Sequence, residues 1–361
     1  MSQRTLLLLS QDNAHYERLL KTANLPHLRI LRADNQSDAE KLIGEAHILM
    51  AEPARAKPLL PKAGKLKWFQ STYAGVDVLL DPDSRRDYQL TNVRGIFGPL
   101  MSEYVFGHLL SLMRQIPLYR EQQRQRLWQS HPYQGLKGKT MLILGTGSIG
   151  QHIAQTGKHF GMKVLGISRS GRERASFDQV YQLPALNKIL AQADVIVSVL
   201  PATRDTRHLF NAARFEFCKP GAILFNVGRG NAVHSGDLLT ALRTGKLAMA
   251  VLDVFEQEPL PADSPLWGQP NLIVTPHNSA YSFPEDVAQI FVRNYIRFID
   301  GQPLDGKIDF DKGYSRLIFH AKRPRQSGGA FSFQAVTGIN LRPAPCGSLS
   351  PWPGTGDAPC R

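Results

Sequence analysis

The sequence predicts an α/β protein with two doubly wound parallel-sheet domains and a C-terminal tail outside them. Short apolar runs alternate with helical patterns as far as about residue 314, and several of these runs are apolar throughout. Strands that are apolar on both faces are covered on both faces, as in a parallel sheet with crossover helices on either side. The length of 361 residues fits two domains of ordinary size.

The first series of elements lies in residues 1–98. Apolar runs predict strands at residues 5–9, 28–31, 47–50, 67–70 and 89–93. Helical patterns over residues 14–23 and 37–43 lie between some of these strands. A long helical pattern follows over residues 99–128, and we expect it to break at Pro117.

A second series begins at Met141. Its predicted strands are 141–144, 163–167, 195–200, 222–227, 248–252 and 272–275, with helices between them at 149–160, 185–193 and 235–244. Residues 284–299 then form an amphipathic helical pattern with no strand after it. We expect that helix to pack on the first domain. The predicted domains are therefore 1–98 with 282–314, and 99–281 between them.

The composition indicates a globular protein with excess positive charge. Hydrophobic residues make up 42% and charged residues 20%, and the net charge is +13. Such a charge raises the question of an anionic partner. Five of these net positive charges lie in residues 315–361, a stretch rich in Gly, Pro and Ser without helical or strand periodicity. We expect this stretch to be a poorly ordered, basic tail.

The same composition disfavours several classes of protein. Three cysteines do not make the even-numbered framework of a disulfide scaffold. No apolar run approaches the ~18 residues of a membrane-spanning helix, and the apolar residues 6–9 are too few for a signal peptide. The histidines show no metal-ligand spacing. We therefore expect a cytoplasmic protein that needs neither a membrane nor a metal.

The strongest single motif follows the first strand of the second series. Residues 145–150 read G-T-G-S-I-G, directly after the apolar run 141–144 and at the start of a predicted helix. In this context, the glycines permit a tight turn and a close approach to a pyrophosphate, and the helix N-terminus supplies amide donors. The motif predicts a Rossmann-type dinucleotide site.

The end of the next strand indicates which dinucleotide binds. An NAD site places an acidic residue about 20 residues after the first glycines, against the ribose 2′-hydroxyl. Here Ser168 and Arg169 occupy that place, with Arg172 and Arg174 close behind. Hydroxyl and guanidinium donors suit a 2′-phosphate, so NADP(H) is predicted over NAD(H). The alternative is that these arginines belong only to a solvated loop.

Charged side chains follow later strands of the second series, at the point where each strand ends. Arg229 follows the strand 222–227, Asp253 and Glu258 follow the strand 248–252, and His277 follows the last strand. In an open parallel sheet, ligands bind outside the carboxyl ends of the strands. We therefore expect these side chains to converge where the nicotinamide would lie.

Several motifs together resemble one family. They are S-T-Y-A-G-V-D at 71–77, G-T-G-S-I-G at 145–150, L-P-A-T at 200–203, N-V-G-R-G at 226–230, L-D-V-F-E-Q-E-P-L at 252–260 and T-P-H-N-S-A at 275–280. In this order they resemble the D-isomer-specific 2-hydroxyacid dehydrogenase family, and most of all its glyoxylate/hydroxypyruvate reductase members. The resemblance implies a Rossmann cofactor domain and a flavodoxin-like substrate domain. It ends near residue 314, so we expect the tail to be an extension that catalysis does not need, read from a shifted or unterminated frame.

The resemblance also implies roles for individual residues. Arg229 would bind the substrate's carboxylate and carbonyl, His277 would be the acid/base, and Glu258 would pair with that histidine. Asp253 would orient the nicotinamide amide. The substrate-binding positions implied are Ala74, Gly75, Arg229 and His277. The cofactor-binding positions implied are Gly145, Gly147, Ser148, Ile149, Gly150, Ser168, Arg169, Leu200, Pro201, Thr206, Val227, Gly228, Arg229, Asp253 and His277.

The leading hypothesis is an NADPH-dependent reductase that converts small 2-keto acids, glyoxylate or hydroxypyruvate first, to 2-hydroxy acids. An arginine fork can hold a carboxylate and polarise the neighbouring carbonyl, and a histidine can protonate its oxygen. Two alternatives stay open: an NAD-linked D-2-hydroxyacid dehydrogenase, and a dinucleotide-sensing corepressor that works through protein contacts. No nucleic-acid-binding motif is visible, so we expect no nucleic-acid partner. The resemblance implies a homodimer.

Overall fold

Two parallel β-sheets organise the chain. The computed structural model describes residues 3–81, 83–310 and 314–315. The predicted tail, 315–361, lies outside these described residues apart from Ser315. The strand-and-helix alternation that the sequence predicts is present, and the predicted α/β fold with two parallel sheets is confirmed.

The first sheet has five strands in the order β2-β1-β3-β4-β5, and every neighbouring pair is parallel. Its strands are β1 (Arg4–Leu9), β2 (Leu28–Arg32), β3 (Ile48–Ala51), β4 (Trp68–Ser71) and β5 (Gln89–Thr91). The helices between them are α1 (Asn13–Thr22), α2 (Gln36–Leu42) and α3 (Pro53–Ala56). This is the flavodoxin-like strand order, and its chain reversal lies between β1 and β3.

The second sheet has seven parallel strands in the order β12-β11-β10-β9-β6-β7-β8, which is the Rossmann order extended by one strand. Helices α4 (Phe97–Met113) and α5 (Ile116–Arg124) precede it. Its strands are β6 (Thr140–Leu144), β7 (Lys163–Ile167), β8 (Gln179–Tyr181), β9 (Val195–Ser198), β10 (Ala222–Asn226), β11 (Leu247–Leu252) and β12 (Leu272–Val274). Its helices are α6 (Ser148–His159), α7 (Leu186–Leu190), α8 (Ala212–Phe215) and α9 (Ser235–Arg243).

The chain then returns to the first sheet. Helix α10 (Pro284–Ile299) begins with a proline followed by Glu285 and Asp286, a favourable arrangement for the positive end of a helix. Its apolar face covers one face of the first sheet, where Trp68 stacks on Phe291 with ring centroids 4.9 Å apart. A short antiparallel pair, β13 (Ile308–Asp309) and β14 (Tyr314–Ser315), follows.

The long helix predicted over residues 99–128 is two helices, and the break lies two residues earlier than predicted. Helix α4 ends at Met113, and Gln115 adopts a left-handed conformation with φ +54° before α5 begins. Pro117 lies in the first turn of α5 rather than at the break itself. Proline is tolerated in a first turn and restricts the residue before it, so it starts the second helix.

Helix α4 is shared between two hydrophobic cores. Phe97, in its first turn, packs in the cluster of the first sheet that contains Trp68 and Phe291. Val105 and Leu109, further along, pack in a cluster of the second sheet. One helix therefore has its two parts buried against different sheets.

Candidate active site

The glycine turn after β6 has the geometry that its sequence requires. Gly145 has φ +105°, which favours glycine. A Cβ on Gly150 would overlap the carbonyl oxygen of Gly145, so only glycine lets helix and strand approach this closely. A Cβ on Gly147 would meet nothing within 4 Å, and no side chain caps α6, which begins at Ser148. The first-turn amides of α6 therefore lie beside open space, and the residues present fit a dinucleotide pyrophosphate.

The turn after β7 is basic and polar. The Ser168 hydroxyl accepts a hydrogen bond from the Gly171 amide at 3.1 Å, which closes a tight turn. Arg169 and Arg172 are exposed on that turn. The first acidic residue after β7 is Glu173. This donor set fits a 2′-phosphate better than a 2′-hydroxyl.

Arg229 lies between two glycines that other loops approach closely. A Cβ on Gly228 would lie 2.5 Å from the Leu200 carbonyl oxygen, and one on Gly230 would overlap the backbone of Phe255. The Asn226 side chain donates to the Arg229 carbonyl at 3.0 Å, and the Arg229 Nη1 donates to the Gly228 carbonyl at 2.9 Å. These contacts position the arginine at the carboxyl end of β10.

The segment 200–206 packs beside the same loop. Thr206 donates through its hydroxyl to the Pro201 carbonyl at 2.7 Å and closes a 3₁₀ turn, Arg204–Thr206. Val227 is buried, and its amide donates to the Ser198 carbonyl at 3.0 Å. The predicted cofactor-binding positions 200, 201, 206, 227 and 228 therefore lie along two neighbouring strand ends.

His277 is held by the loop after β11. Its backbone is left-handed, with φ +52°, and its amide donates to the Asp253 carbonyl at 2.9 Å. The Asp253 carboxylate is fully buried and accepts bonds from the Asn278 and Ser279 amides, both at 2.9 Å, and from the Thr275 hydroxyl at 2.6 Å. Asp253 thus organises the whole turn that presents His277.

His277 pairs with Glu258, as the sequence analysis expects. Nδ1 of the imidazole donates to the Glu258 Oε2 at 2.6 Å, and the other carboxylate oxygen accepts from the Phe255 amide at 2.8 Å. The bond to Glu258 raises the pKa of His277 above its usual value, against the opposing effects of burial and of the Arg229 charge. Burial would raise the pKa of Glu258, but the bonds from His277 and Phe255 lower it overall. The pair therefore favours a charged imidazolium with its Nε2 as the second donor.

The loop after β4 reaches this site from the first sheet. Ala74 accepts a bond from the Asn92 side chain at 2.6 Å. A Cβ on Gly75 would lie 2.7 Å from the Arg229 Nη2, so the absent side chain makes room for the guanidinium. The predicted substrate positions Ala74 and Gly75 therefore lie next to Arg229, with loops of the two sheets in direct contact.

Three contacts at the site were not found by sequence reasoning. Asp77 forms an ion pair with Arg229 across 152 positions of sequence, although it belongs to the 71–77 motif. Tyr104 donates to the Thr275 hydroxyl at 2.6 Å and extends the Asp253 network into α4. Glu256 pairs with His208 beside the Glu258 loop. Asp77, Thr275 and Glu256 each lie in one of the quoted motifs, whereas Tyr104 and His208 lie in none.

In residues 3–81, 83–310 and 314–315, no group of three or more His, Cys, Asp or Glu side chains could hold a metal ion. Within the same ranges, no helix combines the length and apolarity that a bilayer crossing requires.

A dinucleotide turn next to an arginine and a carboxylate-bound histidine is the arrangement of an NAD(P)-dependent dehydrogenase. The family model described as "D-isomer specific 2-hydroxyacid dehydrogenase, NAD binding domain" matches residues 106–279. A crystal structure of a D-isomer specific 2-hydroxyacid dehydrogenase family protein from Aeromonas salmonicida subsp. salmonicida is 91% identical, with a TM-score of 0.84, and covers 86% of this chain and 100% of that one. The chain belongs to the D-isomer specific 2-hydroxyacid dehydrogenase family, which confirms the resemblance seen in its motifs.

Two reductases are among the similar proteins. Glyoxylate/hydroxypyruvate reductase A of Salmonella newport is 29% identical over 300 residues, covering 80% of this chain and 93% of the relative. The structure of an NADPH-dependent glyoxylate/hydroxypyruvate reductase from Sinorhizobium meliloti, in complex with NADP and sulfate, is also 29% identical, with a TM-score of 0.77. It covers 86% of this chain and 100% of that one.

Proposed function

We propose that this enzyme uses NADPH to reduce small 2-keto acids, glyoxylate and hydroxypyruvate first, to 2-hydroxy acids. The observation that carries the proposal is the hydrogen bond of 2.6 Å between His277 and Glu258. Asp253 holds the backbone of the His277 turn, and Arg229 lies close enough for its charge to act on the imidazole. The Salmonella and Sinorhizobium reductases named above support the choice of substrate.

Arg229 and the backbone at Ala74 and Gly75 bind the negatively charged carboxylate of the substrate. The guanidinium is planar and presents paired donors, which suits a carboxylate next to a carbonyl. Backbone amides at Ala74 and Gly75 would complete the carboxylate site, and the loop's position against Arg229 supports this role.

His277 supplies the proton. With Nδ1 held by Glu258 and its pKa raised, the imidazolium can donate from Nε2 to the substrate's carbonyl oxygen as that oxygen gains charge. Bound NADPH supplies the hydride to the carbonyl carbon. Glu258 keeps the imidazole oriented and compensates its charge.

The cofactor is NADP(H), with NAD(H) as the alternative within the family. Ser168 and Arg169 occupy the turn where an NAD site would carry an acidic side chain, and the Sinorhizobium relative was solved with NADP. Comparing Michaelis constants for NADPH and NADH tests the choice, because a clear preference for NADH would contradict it.

The experiment for the activity is steady-state loss of NADPH absorbance with glyoxylate, hydroxypyruvate and pyruvate. We expect turnover of at least one of them. His277→Gln should mainly lower kcat, by about 100-fold or more, whereas Arg229→Ala should also raise KM. Absence of turnover with every 2-keto acid would overturn the proposal, and wild-type rates in both variants would overturn the residue roles.

We also propose the domain boundaries, the cellular location and the oligomeric state of the protein. Residues 1–98 and 282–314 form the substrate domain and 99–281 the cofactor domain, a division supported by the packing of α10 on the first sheet. The protein is a cytoplasmic homodimer; apolar side chains exposed on and after α5 support the dimer, namely Ile116, Leu118, Leu127 and Trp128. Light scattering that finds a monomer at micromolar concentration would contradict the dimer.

A further inference from the structure

The guanidinium of Arg229 already holds a carboxylate. Its Nε and Nη2 donate to the Oδ2 of Asp77, at 3.3 and 3.2 Å. Asp77 follows β4 of the first sheet and Arg229 follows β10 of the second, so the ion pair joins loops of the two sheets. The opposite nitrogen, Nη1, donates to the Gly228 carbonyl. Asp77 therefore occupies one complete edge of the guanidinium.

The Asp77 carboxylate also lies beside the backbone that the proposed function assigns to the substrate. A Cβ on Gly75 would lie 2.7 Å from the Arg229 Nη2 and 3.4 Å from the Asp77 Oδ2. One carboxylate oxygen is thus in contact with both the arginine and the Gly75 segment. These are the two elements proposed to bind the carboxylate of a 2-keto acid.

Among the described residues, no group other than Arg229 forms a hydrogen bond or ion pair with this carboxylate. The Asp77 side chain is 52% exposed, and among the described residues Arg229 is its only hydrogen-bonding partner. The Arg229 side chain is only 31% exposed and is anchored through Gly228. A rotation of the aspartate can therefore free the edge of the guanidinium while the arginine stays in place.

We propose that Asp77 is an internal competing anion, which occupies the Arg229 site until a substrate carboxylate displaces it. The inference rests on the proposed function and adds a residue that sets substrate affinity. An ion pair this exposed changes an equilibrium by about fivefold at most. Asp77 therefore weakens the binding of anionic substrates moderately, without taking part in proton or hydride transfer.

Asp77→Asn tests the proposal, with Asp81→Asn as the matched control. Asp81 lies four residues further on, is similarly exposed, and faces Lys57 at 3.7 Å rather than Arg229. The measurements are KM and kcat for glyoxylate, and the affinity of the NADP-loaded enzyme for oxalate by calorimetry. We expect Asp77→Asn to lower KM and to tighten oxalate binding by about threefold to fivefold, with kcat changed less than about twofold. Asp81→Asn should leave all three values unchanged.

The outcomes separate this inference from the proposed function. If the wild-type enzyme turns over no 2-keto acid, the proposed function fails whatever Asp77 does. If the wild type is active but Asp77→Asn leaves KM and oxalate affinity unchanged, only the competing role fails. A raised KM in Asp77→Asn also overturns it, because Asp77 would then be holding Arg229 in its binding conformation.

Discussion

The amide of His277 donates to the carbonyl of Asp253 at 2.9 Å, and the histidine holds a left-handed backbone with φ +52° at that point. A non-glycine residue in this conformation costs on the order of 1–3 kcal/mol. The buried Asp253 carboxylate offsets that cost by accepting the next two amides. The reactive imidazole is thus positioned by the backbone of its own turn.

Asp253→Asn should weaken both the turn and catalysis. An amide side chain offers one acceptor oxygen where the carboxylate uses two, so a buried amide of the turn is left without its partner. We expect the free energy of unfolding to fall by about 1.5–3 kcal/mol, together with a lower kcat. Denaturant unfolding and steady-state kinetics measure the two effects. Asp263→Asn, at an exposed site ten residues further along the chain, is the control, and equal stability of the two variants would contradict the prediction.

Glu258→Gln should move the pH dependence of ketone reduction. The bond to Glu258 raises the pKa of His277, so the imidazolium that donates the proton persists to a higher pH than a free histidine would. Without the carboxylate, burial and the Arg229 charge still lower that pKa, and only the charge of Asp253 still raises it. The alkaline decline of kcat should therefore begin at a lower pH. A kcat profile across pH measures this shift; an unmoved alkaline limb, or an equal shift in the exposed-site control Glu216→Gln, would disprove the cause.

Arg169→Ala should change the use of NADPH more than that of NADH. The exposed guanidinium follows β7, where it can meet the 2′-phosphate that only NADPH carries. We expect KM for NADPH to rise by about tenfold, equivalent to one charge-assisted hydrogen bond of ~1.4 kcal/mol, with KM for NADH unchanged. Arg243→Ala, at an exposed position at the end of α9, is the control and should leave both KM values unchanged. Equal losses with both cofactors would argue for a merely structural loop.

Gly230→Ala should destabilise the fold at the active site. The added Cβ would overlap the backbone of Phe255, which cannot move aside as a flexible side chain could. We expect a loss of about 1–3 kcal/mol in the free energy of unfolding. Gly107→Ala is the matched control, since a Cβ there meets nothing within 4 Å in the middle of α4 and should stabilise the helix by about 0.5–1 kcal/mol. Thermal unfolding of the two variants in opposite directions is the expected result.

Local patterns were enough to predict most of the architecture. The apolar runs 163–167 and 284–299 gave the observed strand and helix because their periodicity depends only on neighbouring residues. Strand β8, Gln179–Tyr181, was missed because three residues carry too little periodicity to stand out. The break after Met113 was predicted at Pro117, two residues late. The sequence shows the proline, but it does not show that Gln115 adopts a left-handed conformation.

Local sequence patterns predicted which residue types lie at the candidate site and which strand ends carry them. Arg229, Glu258 and His277 each follow a recognisable strand, and parallel strands bring such ends together. The hydrogen bonds of Asp253 to the His277 turn and the ion pair of Asp77 with Arg229 were not predictable. Both depend on the relative position of loops far apart in sequence, which no local pattern encodes.

The placement of α4 in two cores links the packing of the two sheets. Phe97, in its first turn, lies in the cluster that contains Trp68 and Phe291, whereas Val105 and Leu109 lie in a cluster of the second sheet. A substitution that repacks one end of α4 therefore acts on a helix that also belongs to the core of the other sheet.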